Sequence, residues 1–294
     1  MTRLADLDHR PLIVAALTPL ADDGAHLDLG AISPYAAFLE QHGADGVFAC
    51  GTTGEGILLS LDERRAVAEA FRSSVAGTLI VHAGAQTTAD TCSLAGHASA
   101  IGADAVAVIA PPYFPLDADA LTAHFIAAAR ACAPLPFYCY AFTARSGYPL
   151  PVEVIRRIGA SVDNLAGLKV SESPFDRVEP YLDLGLPVLI GSEPLIPAGL
   201  ARGAIGAVSG MAAAFPDVVR AALDDPTDEA TARLVAVRSA MEAGGQFIAA
   251  AKEILRLRGV PVGGDVRAPL RRLTTAEADR LEGDIGAFLD PRPV

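Results

Sequence analysis

Eight short apolar segments rich in β-branched residues recur along the chain, and their spacing limits the fold more than any other feature. Successive segments begin roughly 16 to 34 residues apart, which suits a strand followed by a returning helix. Segments that are apolar throughout are typical of parallel strands buried on both faces. They span residues 12–19, 46–51, 79–84, 105–111, 136–141, 166–171, 187–191 and 203–210.

The stretches between these segments carry helix signals. Ser60 is followed three residues later by Glu63, a capping box before an amphipathic run. Eight strand-helix units predict an α/β fold of the closed (β/α)₈ TIM barrel type. An open doubly wound sheet of six strands is the alternative, but such sheets usually carry a glycine fingerprint. The chain contains neither GxGxxG nor GxxxxGK[ST], which favours the barrel.

The predicted barrel occupies residues 1–224 of the 294-residue chain. Residues 225–294 read as three more helices, and no Ser- or Pro-rich linker separates them from the barrel. We therefore expect a C-terminal helical extension packed on the outside of the barrel, within a single structural unit.

Charge and residue spacing exclude several classes of function. The net charge of −12 argues against a nucleic-acid partner. No apolar run approaches 18 residues, and acids precede the first one, so we expect no membrane span, no secretory signal and a cytoplasmic protein. The four cysteines form no CxxC, and the six histidines form no HxH, HxxxH or HExxH pattern. We therefore expect no bound metal.

Lys169 stands out because only two of the 23 basic residues are lysines, the other being Lys252. It lies near the end of the sixth apolar segment, and catalysis in this fold sits at the carboxyl ends of the strands. Strand alternation points Lys169 into the barrel if Leu168 and Val170 face the helices, and Gly167 then leaves open volume below it. A dry interior lowers the pKa of an amine toward neutrality, which makes a nucleophile able to form a Schiff base. The competing interpretation is a snorkelling or ion-paired lysine.

A glycine-threonine turn follows the second segment, with the sequence CGTTGEG at residues 50–56. Glycines permit a tight turn with exposed amides, and Thr52 and Thr53 add two hydroxyl groups. Amides and hydroxyls together form a nest for a small anion such as a carboxylate.

Two more candidates follow the fifth segment. Tyr140 lies near the strand end, where its phenol could shuttle protons beside an amine or simply fill the barrel mouth. Arg145 could clamp a second carboxylate or pair with a surface acid. His82 borders the same end of the barrel, where we expect a buried structural histidine.

Seven motifs, in this order, resemble the dihydrodipicolinate synthase / N-acetylneuraminate lyase family of class I aldolases. The resemblance covers nearly the whole chain and implies a (β/α)₈ barrel with a helical C-terminal extension, usually a homotetramer built as a dimer of dimers. The motifs are ALTPL (16–20), GTTGEG (51–56), HAGAQTTADT (82–91), PPYF (111–114), YAFTARSG (140–147), GLKVS (167–171) and GAVSG (206–210).

The resemblance also implies catalytic roles. Lys169 matches the lysine that forms a Schiff base with pyruvate or another 2-oxo acid. Tyr140 matches the tyrosine that relays protons to the imine, and Thr52 shares in that relay. Thr52 and Thr53, with Gly51 beside them, match the turn that holds the carboxylate of the 2-oxo acid.

Two further residues are candidates for substrate binding on the same ground. Arg145 matches the arginine that binds the carboxylate of the incoming aldehyde in the synthases and that sialic acid lyases generally lack. Ser209 belongs to the last motif.

Three positions depart from the synthase pattern. Ala141 stands where the synthases usually have asparagine, and Thr143 where they usually have proline. Phe114 replaces a tyrosine that reaches across the synthase dimer to complete a relay of three hydroxyl groups. A phenyl ring carries no proton, so either water substitutes or the chemistry differs.

These observations predict an enzyme, a carbon–carbon or carbon–oxygen lyase that acts through a lysine–pyruvate imine and needs no cofactor. The leading reaction is the condensation of pyruvate with an aldehyde such as aspartate semialdehyde, as in 4-hydroxy-tetrahydrodipicolinate synthase. A catabolic aldolase or dehydratase for 2-keto-3-deoxy sugar acids is the alternative, supported by Phe114. A paralogue that binds 2-oxo acids without turnover ranks below both, because a binding module needs no imine-forming amine.

Overall fold

The computed structural model describes residue 4 and residues 7–289. Residues 1–3, 5–6 and 290–294, at the ends of the two predicted regions, lie outside the described part. Eight parallel strands close into a barrel, which confirms the predicted TIM-barrel fold. In chain order the barrel strands β1 to β8 are Leu12–Ala15, Gly46–Ala49, Thr78–His82, Ala105–Ile109, Phe137–Ala141, Leu165–Val170, Val188–Ile190 and Gly206–Ser209.

Each strand pairs in parallel with the next, and β8 returns to β1 through the register Leu12↔Ala207. Closure leaves no unpaired strand edge in the barrel. A short antiparallel hairpin, Leu20–Ala21 with His26–Leu27, follows β1 and was not predicted. Its two-residue strands are too short to produce a periodic pattern in the sequence.

Helices cover the outside of the barrel. Within the described residues, α1 to α12 are Ile32–Gln41, Leu61–Ser74, Thr88–Ala100, Ala118–Cys132, Thr143–Ser146, Val152–Gly159, Glu179–Leu182, Ile196–Ala201, Pro216–Asp224, Asp228–Glu242, Phe247–Leu257 and Thr275–Leu289. None of these helices is long and apolar enough to cross a membrane.

The predicted capping box starts α2. Ser60 Oγ accepts a hydrogen bond from the Glu63 amide at 3.2 Å, and Glu63 Oε2 accepts one from the Ser60 amide at 2.8 Å. The side chains of Thr87 and Asp117 cap α3 and α4 in the same way. These caps satisfy amides that would otherwise lack a partner, and so they set where each helix begins.

Strand alternation divides the apolar side chains into two layers. Leu168 and Val170 of β6 belong to the larger layer between strands and helices, whereas Phe48 and Tyr140 belong to the layer inside the barrel. Lys169 points inward among the second group, as predicted. The open volume predicted beside Gly167 is absent, because a Cβ there would come within 2.9 Å of the Tyr138 ring. The neighbouring strand therefore fills the space that glycine leaves.

Candidate active site

A cavity of about 210 Å³ opens at the carboxyl ends of the barrel strands. Barrel loops and the C-terminal helices both contribute walls, since Gln246 and Phe247 line it together with the strand-end residues. Of the residues predicted to form the site, five line this cavity: Thr52, Thr53, Tyr140, Arg145 and Lys169. The topology thus brings side chains from β2, β5 and β6 to one place.

Lys169 is buried against aromatic faces. Its side chain is 4% exposed, and Nζ lies 4.1 Å from the ring centroids of both Phe48 and Tyr140. Among the described residues, no carboxylate lies within ion-pair distance of this amine. Burial lowers the pKa of Lys169 to about 7, and the negative charge of Glu193 acts in the opposite direction. A substantial fraction of the amine is therefore neutral, and nucleophilic, near pH 7.

Tyr140 places a protonated phenol beside this amine. It is 2% exposed, and burial raises its pKa to about 12, opposed by hydrogen bonds with the side chains of Thr52 and Ser171. Its hydroxyl therefore joins the threonine of the β2 turn to the pocket of Lys169. A phenol in this protonation state can donate a proton at neutral pH and recover it in a later step.

The turn after β2 has a geometry that only glycine permits at two positions. A Cβ at Gly56 would lie 1.9 Å from the Cys50 carbonyl oxygen, and one at Gly54 would lie 2.8 Å from the Ala16 carbonyl oxygen. Thr18 Oγ1 also donates a 2.6 Å hydrogen bond to the Gly54 carbonyl. The turn is thus packed closely against the segment that follows β1, and this packing fixes the backbone that carries its hydroxyl groups.

Within this turn the predicted residues have different positions. Thr52 and Thr53 line the cavity, and Thr53 is 9% exposed. Gly51 is buried and its carbonyl accepts the Gly56 amide at 3.0 Å, so it shapes the turn rather than lining the cavity.

Arg145 lies exposed on α5 at the rim of the cavity, with its guanidinium carbon 5.6 Å from the Phe142 ring centroid. Among the described residues it forms no ion pair, which leaves its donors available to an incoming anion. Thr143, where a proline was expected, uses both its amide and its hydroxyl to bind Glu172 Oε1, at 2.7 and 2.9 Å. Proline could not make the first of these bonds.

Ser209 does not contact the cavity, contrary to its predicted role in substrate binding. It is fully buried, its hydroxyl donates to Glu193 Oε1 at 2.8 Å, and it accepts the Ala212 amide at 3.0 Å. The Ser209 hydroxyl thus bonds to Glu193, which lines the cavity, while Ser209 itself is not among the lining residues.

Sequence reasoning missed a buried charged group in the cavity wall. Glu193 follows β7, is fully buried, and accepts hydrogen bonds from the Met211 amide at 2.9 Å and from Arg238 of α10. Arg238 also binds Glu242 through Nε at 2.7 Å. An acid directly after an apolar strand could have been noticed, but nothing local to residue 238 indicates that α10 folds back onto the cavity.

His82 borders the amine without a charge of its own. It is 8% exposed, its Nδ1 lies 3.1 Å from the Cys50 carbonyl oxygen, and its ring centroid is 6.0 Å from that of Tyr140. Burial, with the charges of Arg64 and Lys169, lowers its pKa well below the ordinary value, so the ring is neutral. It is a buried histidine, as expected, and forms part of the dry wall around Lys169.

Phe114 lies away from this cavity. It is 70% exposed and contacts Tyr113, which is 83% exposed and has a left-handed backbone with φ of 86°. Within the described part of this chain, no third hydroxyl group reaches Tyr140 and Thr52 from this loop.

Comparison with known proteins assigns the family. The model of the dihydrodipicolinate synthetase family matches residues 8–287. A DapA-like lyase of Halobacterium salinarum, itself uncharacterized, is 34% identical over 286 residues, which cover 93% of this chain and 92% of that protein. The 4-hydroxy-tetrahydrodipicolinate synthase of Corynebacterium aurimucosum is 34% identical over 282 residues, covering 92% and 90%.

Solved structures agree with this assignment. The N-acetylneuraminate lyase of Proteus mirabilis superposes with a TM-score of 0.84 at 30% identity, covering 95% of this chain and 98% of that one. Synthases and sialic acid lyases are thus both similar to this chain, over nearly its full length. The chain belongs to the dihydrodipicolinate synthetase family, whose members are lyases and aldolases.

Proposed function

We propose that the protein is a pyruvate-dependent class I aldolase that acts through a Schiff base on Lys169. The observation that carries this proposal is that the Lys169 amine is buried and has no carboxylate of the described residues within ion-pair distance. Lys169 Nζ sits between two aromatic faces, unpaired by any carboxylate of the described residues, and opens onto the same cavity as Thr52 and Thr53. Buried lysines that serve only structure are normally ion-paired, as Lys252 is in this chain.

The first half-reaction follows from these positions. The Thr52–Thr53 turn holds the carboxylate of the 2-oxo acid, and the neutral amine of Lys169 attacks its C2 carbonyl. The Tyr140 phenol protonates the departing oxygen, which leaves as water, and an imine results. The protonated imine draws electrons from the adjacent methyl group, which passes a proton to the Tyr140 phenolate left by the first step and gives an enamine.

In the second half-reaction the enamine carbon attacks an aldehyde, and water then releases the product from Lys169. Arg145 stands unpaired at the rim, where it can bind a carboxylate on the aldehyde. This arrangement supports condensation of pyruvate with an acidic aldehyde such as aspartate semialdehyde, the reaction of a 4-hydroxy-tetrahydrodipicolinate synthase. All of these steps use the covalent imine and the protein's own side chains, so we propose that no cofactor is required.

Two observations favour a second candidate, cleavage or dehydration of a 2-keto-3-deoxy sugar acid. Phe114 cannot complete the hydroxyl relay of the synthases. The cavity lining also includes the polar side chains of Glu193, Arg238 and Gln246, which are suited to the hydroxyl groups of a sugar chain. The same imine would serve this reaction in the reverse direction.

We also propose that the chain forms a homotetramer arranged as a dimer of dimers, as the family resemblance implies. Ile57, Tyr113 and Phe114 expose large apolar side chains, 56%, 83% and 70% exposed respectively, which a second subunit would cover. Light scattering during gel filtration measures the mass directly, and a monomer at micromolar concentration would contradict the proposal.

Borohydride trapping tests the proposed chemistry. Protein incubated with pyruvate and then reduced should gain the mass of one N-carboxyethyl group, located on Lys169 by peptide mapping. An unchanged mass, or a label that survives Lys169→Ala, excludes the imine and leaves a non-catalytic barrel. Once the adduct is established, assays with aspartate semialdehyde, neutral aldehydes and 2-keto-3-deoxy sugar acids separate the two candidate reactions.

Arg145→Ala sharpens that screen. If the aldehyde is an acid, this variant should raise its KM and leave pyruvate trapping unchanged, while Arg157→Ala, at a half-exposed arginine outside the cavity lining, serves as a charge-matched control. Equal activity of the unmodified protein toward acidic and neutral aldehydes would contradict the role of Arg145.

A further inference from the structure

The second lysine of the chain is buried as deeply as the first but is paired. Lys252, on α11, is fully buried, and its Nζ lies 2.7 Å from Oε1 of Glu55, which is also fully buried. Lys252 also donates to the backbone carbonyl of Asp265. The pair joins two segments 197 residues apart in the chain. It therefore ties the C-terminal extension to the turn after β2.

Glu55 occupies an unusual position in that turn. It has a left-handed backbone with φ of 57°, which a residue with a side chain adopts only at a cost in free energy. Its amide donates to the Thr52 carbonyl at 3.1 Å, and its Oε2 accepts the Arg267 amide at 2.6 Å. Both carboxylate oxygens are thus held by the C-terminal extension, while the backbone of the same residue is bonded to Thr52.

The same helix also reaches the cavity itself. Phe247, Ile248 and Ala249 in the first turn of α11 line the cavity, and Lys252 follows one turn later. Helix α11 therefore contacts the cavity with its first turn and holds the turn after β2 through Lys252. On the other side, Thr18 of the barrel binds the Gly54 carbonyl. The turn is clamped between the barrel and the extension.

We propose that the Lys252–Glu55 ion pair is a positioning device that sets the orientation of Thr52 and Thr53 for the carboxylate of the 2-oxo acid. The inference rests on the proposed function, in which this turn binds that carboxylate. A buried ion pair is poor at adding stability but strict in geometry, because each charge must meet its partner. A shift of the turn by about 1 Å is enough to weaken a bound and oriented substrate strongly.

Two variants and a matched control test this role. Lys252→Met removes the cation at similar volume, and Glu55→Gln keeps the shape of the turn but loses the charge. Arg258→Met is the control, because Arg258 ties the end of the same helix to the barrel through Asp217 at 2.8 Å and the Ala214 carbonyl at 2.7 Å. It is a mostly buried ion pair of the extension that bonds to a different part of the barrel.

The measurement is the pyruvate concentration that gives half-maximal borohydride trapping on Lys169, together with the yield at saturation. We expect Lys252→Met and Glu55→Gln to raise that concentration about tenfold or more while saturating yield is preserved. Arg258→Met should lower thermal stability yet leave the half-saturating concentration within about twofold of the unmodified protein. An equal rise in all three variants would show a general structural effect and would overturn the proposal.

The outcomes separate this inference from the proposed function. If the unmodified protein gives no adduct, the imine chemistry itself is wrong. If it gives the adduct but the two variants keep the same half-saturating concentration, only the positioning role is wrong. Should Lys252→Met fail to fold, Glu55→Gln and the double variant Glu55→Met/Lys252→Met carry the test, since the double variant leaves no unpaired buried charge.

Discussion

The two lysines of this chain lie in very different surroundings although both are buried. Lys169 is inside the barrel mouth, 4.1 Å from the centroids of two aromatic rings, with no acid of the described residues in ion-pair distance. Lys252 lies between the barrel and α11 with the Glu55 carboxylate at 2.7 Å. Burial lowers the pKa of both, and it is opposed at Lys252 by a carboxylate in direct contact, Glu55, but at Lys169 only by the more distant charge of Glu193.

The difference shows that burial alone does not make a lysine reactive. A buried amine with a carboxylate partner stays protonated and serves as a structural cation. A buried amine facing aromatic rings loses its proton near neutral pH and becomes a nucleophile. The local acid, more than the depth of burial, decides which of these two roles a lysine has.

The largest expected effect comes from replacing the reactive amine. Lys169→Ala should abolish the pyruvate adduct and lower kcat by about 10⁴-fold or more, as loss of a covalent nucleophile does. Lys169→Arg should be equally inactive, because a guanidinium group keeps its proton. Mass spectrometry after borohydride reduction and steady-state kinetics measure both effects. Retained activity in the arginine variant would mean that a cation, rather than a nucleophile, is required.

Tyr140→Phe separates the chemistry of the phenol from its contribution to the dry pocket. The variant keeps the ring that faces Lys169 but loses the hydroxyl, so kcat should fall about 10²- to 10⁴-fold while pyruvate half-saturation changes little. Rapid-quench trapping compares the rate of imine formation with the final yield. A large change in pyruvate affinity with unchanged kcat would assign Tyr140 to binding instead.

Replacing the paired lysine, Lys252, should change the free energy of unfolding more than the rate of the chemical steps. Lys252→Met leaves Glu55 buried without its cation and should lower the free energy of unfolding by about 3–5 kcal/mol. Lys169 has no such partner among the described residues, so Lys169→Met should leave that free energy unchanged or raise it, in keeping with a reactive group that is costly to bury. Denaturant unfolding at pH 7 measures both variants under the same conditions. A destabilisation of similar size in both would remove the distinction between the two lysines.

The smallest predicted effect is a shift in pH dependence caused by two charged residues of the cavity wall, Glu193 and Arg238. Glu193→Gln removes the anion that raises the pKa of Lys169 and leaves the charge of Arg238 less compensated, so both changes lower that pKa. The acid limb of the trapping rate should therefore move to lower pH. Arg238→Met leaves Glu193 without its main cation and should move the acid limb of the trapping rate to higher pH.

Each of these shifts is expected to be about one pH unit or less. Initial rates of trapping between pH 5 and pH 9, scaled to the yield at saturating pyruvate, resolve them. Of the other titratable groups at the amine, Tyr140 has its pKa raised to about 12, above this range, and burial lowers the pKa of His82 well below its ordinary value. Shifts in the same direction for both variants would show that Glu193 does not act on Lys169 through its charge.

The fold was predictable because its signals are local. Each barrel strand is apolar on both faces, and the capping box at Ser60 and Glu63 marks a helix start within four residues. The inward direction of Lys169 followed from the alternation of side chains along β6 alone. Short elements without a period, such as the hairpin at residues 20–27, gave no comparable signal.

The parts of the site that were missed depend on contacts between distant segments. Arg238 reaches Glu193 across 45 residues, and Lys252 reaches Glu55 across 197. The sequence of neither α10 nor α11 indicates which loop the helix packs against. Ser209 was assigned to substrate binding because it belongs to the last motif of the family resemblance, yet its hydroxyl donates a hydrogen bond to Glu193.

The central claim is that Lys169 is a neutral amine near pH 7, and it can be observed directly because the chain has only two lysines. Protein labelled with [ε-¹³C]lysine should give two lysine signals, with Lys169→Ala identifying one of them. We predict that the Lys169 signal titrates with a midpoint near pH 7 while the Lys252 signal remains that of an ammonium group through the same range. A Lys169 signal that stays at the ammonium position up to pH 9 would contradict the account.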